Sequence, residues 1–367
     1  MRFHIVKREN CPLIQKCLLY LGAVVFALLM GAVLLLALGV DPVAYYGKMF
    51  TLGTVGNKIA YKTYINYLKE FVPLALTSVA LSLAFKMRFW NIGGEGQFIL
   101  GAISAAAVAF KLGPMLPNGA TLLVMCLAAM VVAGLYGLMV AALKVKFGTN
   151  ETLLTLMLNY VALYVLTYIG ETKADWNFFL QTKSQRPVFE KFASVVSFPS
   201  IPLGEKFSLN ICVILTLVIC LLVFVYLKYT KHGFEISVVG DSASTARYAG
   251  MKVNTIVLRT VFLSAALIGL AAAFKVGTAG VLSTSITDDV GWTGVIVAWL
   301  SQLNTGAIVI VSALISILDF GSVQAATTFA QVDSSFANML QGVILFLVLA
   351  ADFFIRFRVV RDKKGGK

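Results

Sequence analysis

The sequence predicts an all-α polytopic membrane protein of about ten transmembrane helices, eight of them forming two inverted four-helix halves. Three observations carry this. Of 367 residues, 59% are hydrophobic and 13% charged, and the mean hydropathy is +0.88, well outside the composition of a water-soluble domain. Apolar blocks long enough to cross about 30 Å of hydrocarbon recur along the chain. Those blocks are continuously apolar and do not alternate with period two, which specifies helices and excludes a β-barrel.

The first span is read over 18–40. Its apolar run, Leu18 to Val40, covers 23 residues. It lacks a small-x-small cleavage site, so it is a retained helix, not a signal peptide. Further spans are expected at 71–88, 96–110, 120–143, 152–169, 209–228, 256–275, 286–301, 306–320 and 338–355. An even number puts both termini on one face. With that face cytoplasmic, inner segments carry 19 Lys and Arg and outer segments 11, the bias that orients membrane proteins. The net charge of +13 is therefore a topology signal, not a nucleic-acid footprint. Cys11, Cys17, Cys126, Cys212 and Cys220 show no ligand spacing and are assigned to packing, with no metal and no disulfide. No P-loop of the G-x-x-x-x-G-K-[ST] type occurs, so the chain does not hydrolyse nucleotide by itself.

With this topology, spans two to five begin outside and spans seven to ten inside, an inverted repeat of the transporter type. Each half breaks its apolar pattern at the same place. In the first, residues 89–97 include Asn91, Gly93, Gly94, Glu95, Gly96 and Gln97; in the second, 277–292 includes Gly277, Gly280, Asp288, Asp289 and Gly291. Matching interruptions point to a substrate path. The purely apolar run 71–85 has 15 residues, about 22 Å of helix, so either Lys86 and Arg88 snorkel to the interface or, the favoured reading, the Gly-rich connector dips into the membrane. Asn91, Glu95, Gln97, Asn159 and Trp292 are the expected path residues. Glu95 can alternatively cap a helix or pair with Lys86 or Arg88, and Asn159 can serve as interhelical glue. Thr149 or Asn150 is expected to cap span five, with Glu151 in its first turn.

The inner segment 229–255 contains Gly240, Asp241, Ala243, Ala246, Arg247, Ala249 and Gly250. Asp241 is an expected N-cap and Gly250 a C-terminal stop, bounding a two-turn helix. Ala243, Ala246 and Gly250 at i, i+3 and i+7 give it a face of small residues, suited to a partner's groove. The outer segments 41–70 and 170–208 are rich in aromatics, among them Tyr45, Tyr64, Trp176 and Phe179. Interfacial anchoring accounts for these, with a docking surface for an external partner as the sharper alternative.

The stretches Trp90-Asn91-Ile92-Gly93-Gly94-Glu95-Gly96-Gln97 and Gly148-Thr149-Asn150-Glu151 with Met157-Leu158-Asn159-Tyr160 resemble the nucleoside (purine-type) branch of the ribose and branched-chain amino acid permeases of ATP-binding-cassette (ABC) importers. Val239-Gly240 with Ala246-Arg247-Tyr248-Ala249-Gly250 resembles that family's coupling segment. The likeness covers about residues 70–355. Asp241 and Thr245 depart from its usual Asn and Ala, and Trp292 stands where relatives tend to carry Phe. The resemblance implies a cytoplasmic N-terminus at 1–17, a permease domain over 18–355 and a basic cytoplasmic tail at 356–367. It implies a place in a bacterial inner membrane with both termini cytoplasmic. The partners are an ABC ATPase with two nucleotide-binding domains that holds ATP and Mg, a second permease (more often a different chain than a copy), and an external substrate-binding lipoprotein. The chain itself is expected to hold no cofactor. The cargo implied is a nucleoside. A sugar or branched-chain amino acid carried by the same mechanism, and an ion-coupled secondary transporter using Glu95 with Asp288, Asp289 or Asp319, are the alternatives.

Overall fold

Helix starts are written in the sequence as capping residues. Asp41 accepts from the Val43 amide, Asn150 from Thr152 and Leu153, Asn210 from Cys212, and Thr230 from Gly233. Each side chain satisfies a backbone donor that a helix start leaves open. The computed structural model describes residues 3–7, 12–55, 60–193, 196–204, 207–329, 331–333 and 335–361. Parts of the expected segments 1–17, 41–70, 170–208 and 356–367 lie outside those residues, as does Cys11.

In chain order the elements are β1 (Phe3–Lys7), α1 (Leu13–Ala37), α2 (Pro42–Phe50), α3 (Ala60–Lys86), α4 (Gly94–Leu112), α5 (Asn118–Phe147) and α6 (Glu151–Glu171). There follow β2 (Ser200–Pro202), β3 (Ser208–Asn210), α7 (Ile211–Tyr229), α8 (Lys231–Asp241), α9 (Ala243–Tyr248) and α10 (Val253–Ala279). The last are α11 (Val290–Leu300), α12 (Thr305–Ala326), α13 (Ser335–Arg356) and β4 (Phe357–Arg361). Among the described residues nine helices are long and apolar enough to cross a membrane. The short strands form two antiparallel pairs, β1 with β4 and β2 with β3.

The chain divides into two compact units. One holds residues up to Ala60 and from Ile317 onward. Here α1 packs on α13, and buried Tyr45 shares a 2.9 Å hydrogen bond with Ser322 and meets the rings of Phe329 and Phe336. Tyr46 donates to the Leu28 carbonyl at 2.7 Å. Strand β1 pairs antiparallel with β4, Phe3 opposite Arg361 and Lys7 opposite Phe357. The β1–β4 pairing therefore brings the described ends of the chain together.

The other unit spans Tyr61–Ser316 and is built around α10, which packs on α4 and α5. The contact faces are small residues: Ala102, Ala105, Ala129, Ala133, Ala265 and Ala272 are fully buried. Small side chains let helix backbones approach where lipid offers no hydrophobic driving force. Residues Phe71 to Phe85 of α3 are buried throughout. The loop after α6 folds back on the end of α4, with Phe192 5.0 Å and Phe179 5.9 Å from Phe110, ring to ring. It also bridges Lys191 to Val281 and donates from Phe192 to the Gly280 carbonyl at 2.9 Å. The aromatics of this loop thus serve packing as much as surface: Phe179 is buried and Trp176 exposed.

Three expectations change. The second span begins at Ala60, eleven residues before 71, so much of 41–70 is α2 and α3 and not an outer loop. Its polar first turns, Tyr61 to Glu70, remain helical because they pack; Tyr67 donates to the Ala313 carbonyl at 3.0 Å. Helix α3 is then 27 residues, about 40 Å, and is not short. The segment read as span 286–301 contains only α11, 11 residues, about 16 Å. Among the described residues nine helices are long and apolar enough to cross a membrane, and α11 is a shorter apolar helix outside that set. The boundary between the compact units falls inside α12, at Ile317.

Candidate functional site

The two interruptions expected at matching positions meet. After α3 ends at Lys86, residues 87–93 turn back and run along the first turns of α6. The Ile92 amide donates to Thr155 Oγ1 at 3.2 Å, Asn159 Nδ2 donates to the Ile92 carbonyl at 2.9 Å, and the Gly96 amide donates to Asn159 Oδ1 at 2.8 Å. Asn159 stands eight residues into α6, so the connector climbs about 12 Å along it. It does dip into the helix bundle. Helix α4 consequently starts among other helices, with Glu95 in its first turn.

Glu95 Oε2 accepts from the Gly291 amide at 2.8 Å. That amide is in the first turn of α11, where free N–H groups and the helix dipole favour an anion. Thr287 also hydrogen-bonds the same carboxylate. Only glycine fits at 291: an added Cβ would lie 2.3 Å from the Glu95 amide nitrogen. At its other end α11 stacks Trp299 on Trp90 of the connector, 5.1 Å apart and 13° from parallel. So Glu95 holds one end of the half-helix and Trp90 the other. Glu95 does not pair with Lys86 or Arg88; it caps a helix, but a different one from its own.

A cavity of about 350 Å³ opens beside this junction. It is lined by Glu95 and Asn159, by Thr284, Thr287, Asp288 and Asp289, and by the rings of Tyr160 and Trp292. Asp288 and Asp289 both adopt left-handed backbone, φ 42° and 56°, a conformation that Asp tolerates but does not prefer. Lys275, buried near the end of α10, makes ion pairs at 2.9 Å with Glu70 of α3 and at 2.5 Å with Asp288. The lining is rich in hydrogen-bond acceptors and carries aromatic faces, which suits a neutral, donor-bearing solute better than an anion.

Of the five expected path residues, Glu95, Asn159 and Trp292 line this cavity and Asn91 and Gln97 do not. Asn91 and Gln97 are buried and exchange two amide hydrogen bonds, both 3.1 Å, while Asn91 Oδ1 also accepts from Gly93. Their hydrogen bonds to each other and to Gly93 hold the turn. Asn159, with one N–H and one lone pair committed, retains one of each. Lys275 and Thr287 were not singled out from the sequence. The signal was present for Lys275, the lone ionisable residue in the apolar run 260–275.

The inner segment differs from its expected form. Ser242, not Asp241, caps α9, accepting from the Thr245 amide at 3.2 Å. Asp241 instead ends α8. The reason is chain direction: α8 continues to Asp241, so the cap falls on the next residue with extended backbone, Ser242 at φ −157°. Helix α9 is six residues, shorter than the two turns expected; it ends at Tyr248 with Ala249 as its C-cap, and Gly250 follows in left-handed backbone, φ 76°. The small-residue face splits. Ala246 is fully buried, whereas Ala243, Arg247, Ala249 and Gly250 are exposed, together with Tyr248 at 94%. Gly240 is buried against the Lys86 carbonyl of α3. Below α9, a cavity of about 450 Å³ is lined by Arg88, Lys144, Asp241, Arg247 and Asn254. Helix α8 is fixed to α10 by Arg259, which donates to Glu235 at 2.9 Å and holds the Glu235 carboxyl below its ordinary pKa.

Comparison with known proteins places these features. The family model described as branched-chain amino acid transport system / permease component matches residues 63–349. The chain is 29% identical to the glucose ABC transporter permease protein of Haloferax volcanii, over 93% of this chain and 90% of that one. It is 26% identical to the nucleoside ABC transporter permease protein of Lactococcus lactis, over 95% and 94%. It is 27% identical to the guanosine ABC transporter permease protein of Bacillus subtilis, over 96% and 98%. No solved structure matches the chain. Such relatives are transporter subunits and not enzymes, and ATP hydrolysis belongs to a partner ATPase; an ion-coupled secondary transporter is set aside. This chain belongs to the branched-chain amino acid transport system permease family and is a multi-pass permease component of an ABC transporter.

Proposed function

We propose that this permease carries a nucleoside inward, and that the cavity beside the α4–α11 junction is part of its path. The observation that carries this is the meeting of two interrupted segments at Glu95 and Gly291, beside a cavity that holds acceptors and two aromatic rings. Glu95 and the spare groups of Asn159 meet donors and acceptors of the base or ribose. Trp292 offers a face for the base. Asn91 and Gln97 hold the turn that presents Glu95. Two relatives named for nucleoside or guanosine transport match nearly the whole chain. A sugar is the second reading, favoured by the glucose permease relative.

In this mechanism an external lipoprotein delivers cargo on the side of the 170–208 loop, which lies against residues 280–281 at the cavity's edge. A cytoplasmic ATPase with two nucleotide sites binds ATP and Mg and acts on the exposed surface of α9, Arg247 and Tyr248 foremost. A second, different permease completes the path. Both termini lie on the cytoplasmic face of a bacterial inner membrane, in keeping with the 19 basic residues assigned inside and the β1–β4 pairing. The test is to identify the solute retained by the cognate lipoprotein, then to measure uptake of labelled guanosine and of labelled glucose in cells with and without this chain. Loss of guanosine uptake alone is expected; loss of glucose uptake alone contradicts the proposal.

A further inference from the structure

We propose that Lys275 is a positioning residue that pins the lip of the cavity, residues 283–289, against α3, and that the lip opens when a donor group on the cargo replaces Lys275 at Asp288. The inference rests on the cavity's being the cargo path. A lysine nine-tenths buried in an apolar helix is stable only when paired, and Lys275 is paired twice, with Glu70 Oε2 at 2.9 Å and Asp288 Oδ2 at 2.5 Å. One ammonium therefore serves two carboxylates, one from a long buried helix and one from an irregular segment. The two bonds differ in what holds them. Glu70 belongs to the regular helix α3, directly before its buried stretch Phe71–Phe85. Asp288 belongs to a turn of two consecutive left-handed residues, a conformation that persists only when its surroundings hold it.

The exposures make the pair separable in one direction. The Asp288 side chain is 52% exposed, that of Glu70 37% and that of Lys275 only 9%, so either carboxylate reaches water and the ammonium does not; the left-handed turn singles out Asp288. Asp288 can leave to water or to a ligand, whereas Lys275 stays buried with Glu70 as its remaining partner. Asp288 also lines the cavity, next to Glu95, Asp289 and Thr287. Carboxylates thus outnumber the cation beside the lip, and an N–H or O–H donor on a neutral solute can take the place of Nζ. Cargo binding and lip release then become one exchange of hydrogen-bond donors at Asp288.

The experiment uses the complete transporter in cells, with Ser283→Cys as a reporter for a membrane-impermeant thiol reagent applied outside. Relative to that parent, Lys275→Met and Asp288→Asn should label faster by up to about fivefold, the scale of losing an ion pair whose carboxylate is half exposed, expressed as local opening. Lys275→Arg should label like the parent. Glu70→Gln should label no faster, because Lys275 is then undivided on Asp288. A general structural role for the triad predicts instead that Glu70→Gln and Asp288→Asn behave alike, and that result overturns the proposal, as does unchanged labelling in Lys275→Met. The contrast between Glu70→Gln and Asp288→Asn keeps the test decisive should Lys275→Met fail to insert. If Asp288→Asn speeds labelling while the half-saturation of guanosine and glucose uptake stays unchanged, the lip exists and the cavity is not the path; a shifted half-saturation supports both.

Discussion

Asn159 shows how one amide can serve structure and leave something for function. Its Oδ1 accepts from Gly96 and its Nδ2 donates to the Ile92 carbonyl, so it fixes the connector that presents Glu95. Removing it leaves a buried amide and a buried carbonyl unpaired, at about 1–3 kcal/mol for each. Asn159→Ala should therefore lower the thermal unfolding midpoint in detergent by several degrees; an unchanged midpoint would show that the connector is held by other contacts. Glu95 is different, because its amide analogue keeps the shape and the bond from Gly291 while losing the charge. Glu95→Gln should insert and fold normally and reduce uptake by roughly tenfold, the effect of losing one charge-assisted contact. Full uptake in that variant would reduce Glu95 to a cap for α11. Trp292→Ala should raise the half-saturation concentration for a nucleoside by roughly tenfold, the scale of one lost base–aromatic contact, and an unaltered value would remove the ring from the path.

The elements that matter are short ones. Helix α11, 11 residues long, is held at its start by Glu95 and at its end by the Trp90–Trp299 stack. Gly291→Ala would drive a methyl group into the Glu95 backbone. It should cost about 1–3 kcal/mol or more, visible as reduced yield of folded protein from the membrane. Helix α9 makes the opposite case, since its contribution lies on the outside. Tyr248→Ala or Arg247→Glu should leave folding intact and abolish cargo-stimulated ATP hydrolysis by the assembled transporter, whereas Ala246→Trp should fail earlier, at folding, because Ala246 is fully buried. Stimulated hydrolysis that survives in the Tyr248 and Arg247 variants would move the coupling surface elsewhere.

For the molecule as a whole, span positions were legible because hydrocarbon admits few patterns: α4, α5, α6, α7, α10, α12 and α13 lie within a few residues of expectation. The two breaks that meet at Glu95 and Gly291 were legible too, since Gly-rich breaks stand out in an apolar chain. The polar start of α3 and the half-length of α11 were not, because tertiary packing and not composition keeps Tyr61–Glu70 helical and stops α11 at Leu300. Nor was the direction of individual side chains. Asn91 and Gln97 satisfy each other, and Ala246 turns inward, outcomes decided by neighbours that no local pattern names. The paired chain ends, β1 with β4, were likewise beyond reach, being contacts between residues more than three hundred positions apart. What joins these scales is the proposed function, in which an ATP-driven stroke at α9 reaches the cavity beside Glu95. The most direct measurement is uptake by proteoliposomes holding this chain, its partner permease and the ATPase, with the lipoprotein and labelled guanosine on the opposite side from ATP and Mg. The account predicts accumulation that requires ATP, ignores an imposed proton or sodium gradient, and falls with Glu95→Gln. Accumulation driven by an ion gradient without ATP, or ATP-driven uptake indifferent to Glu95, Asn159 and Trp292 together, would contradict it.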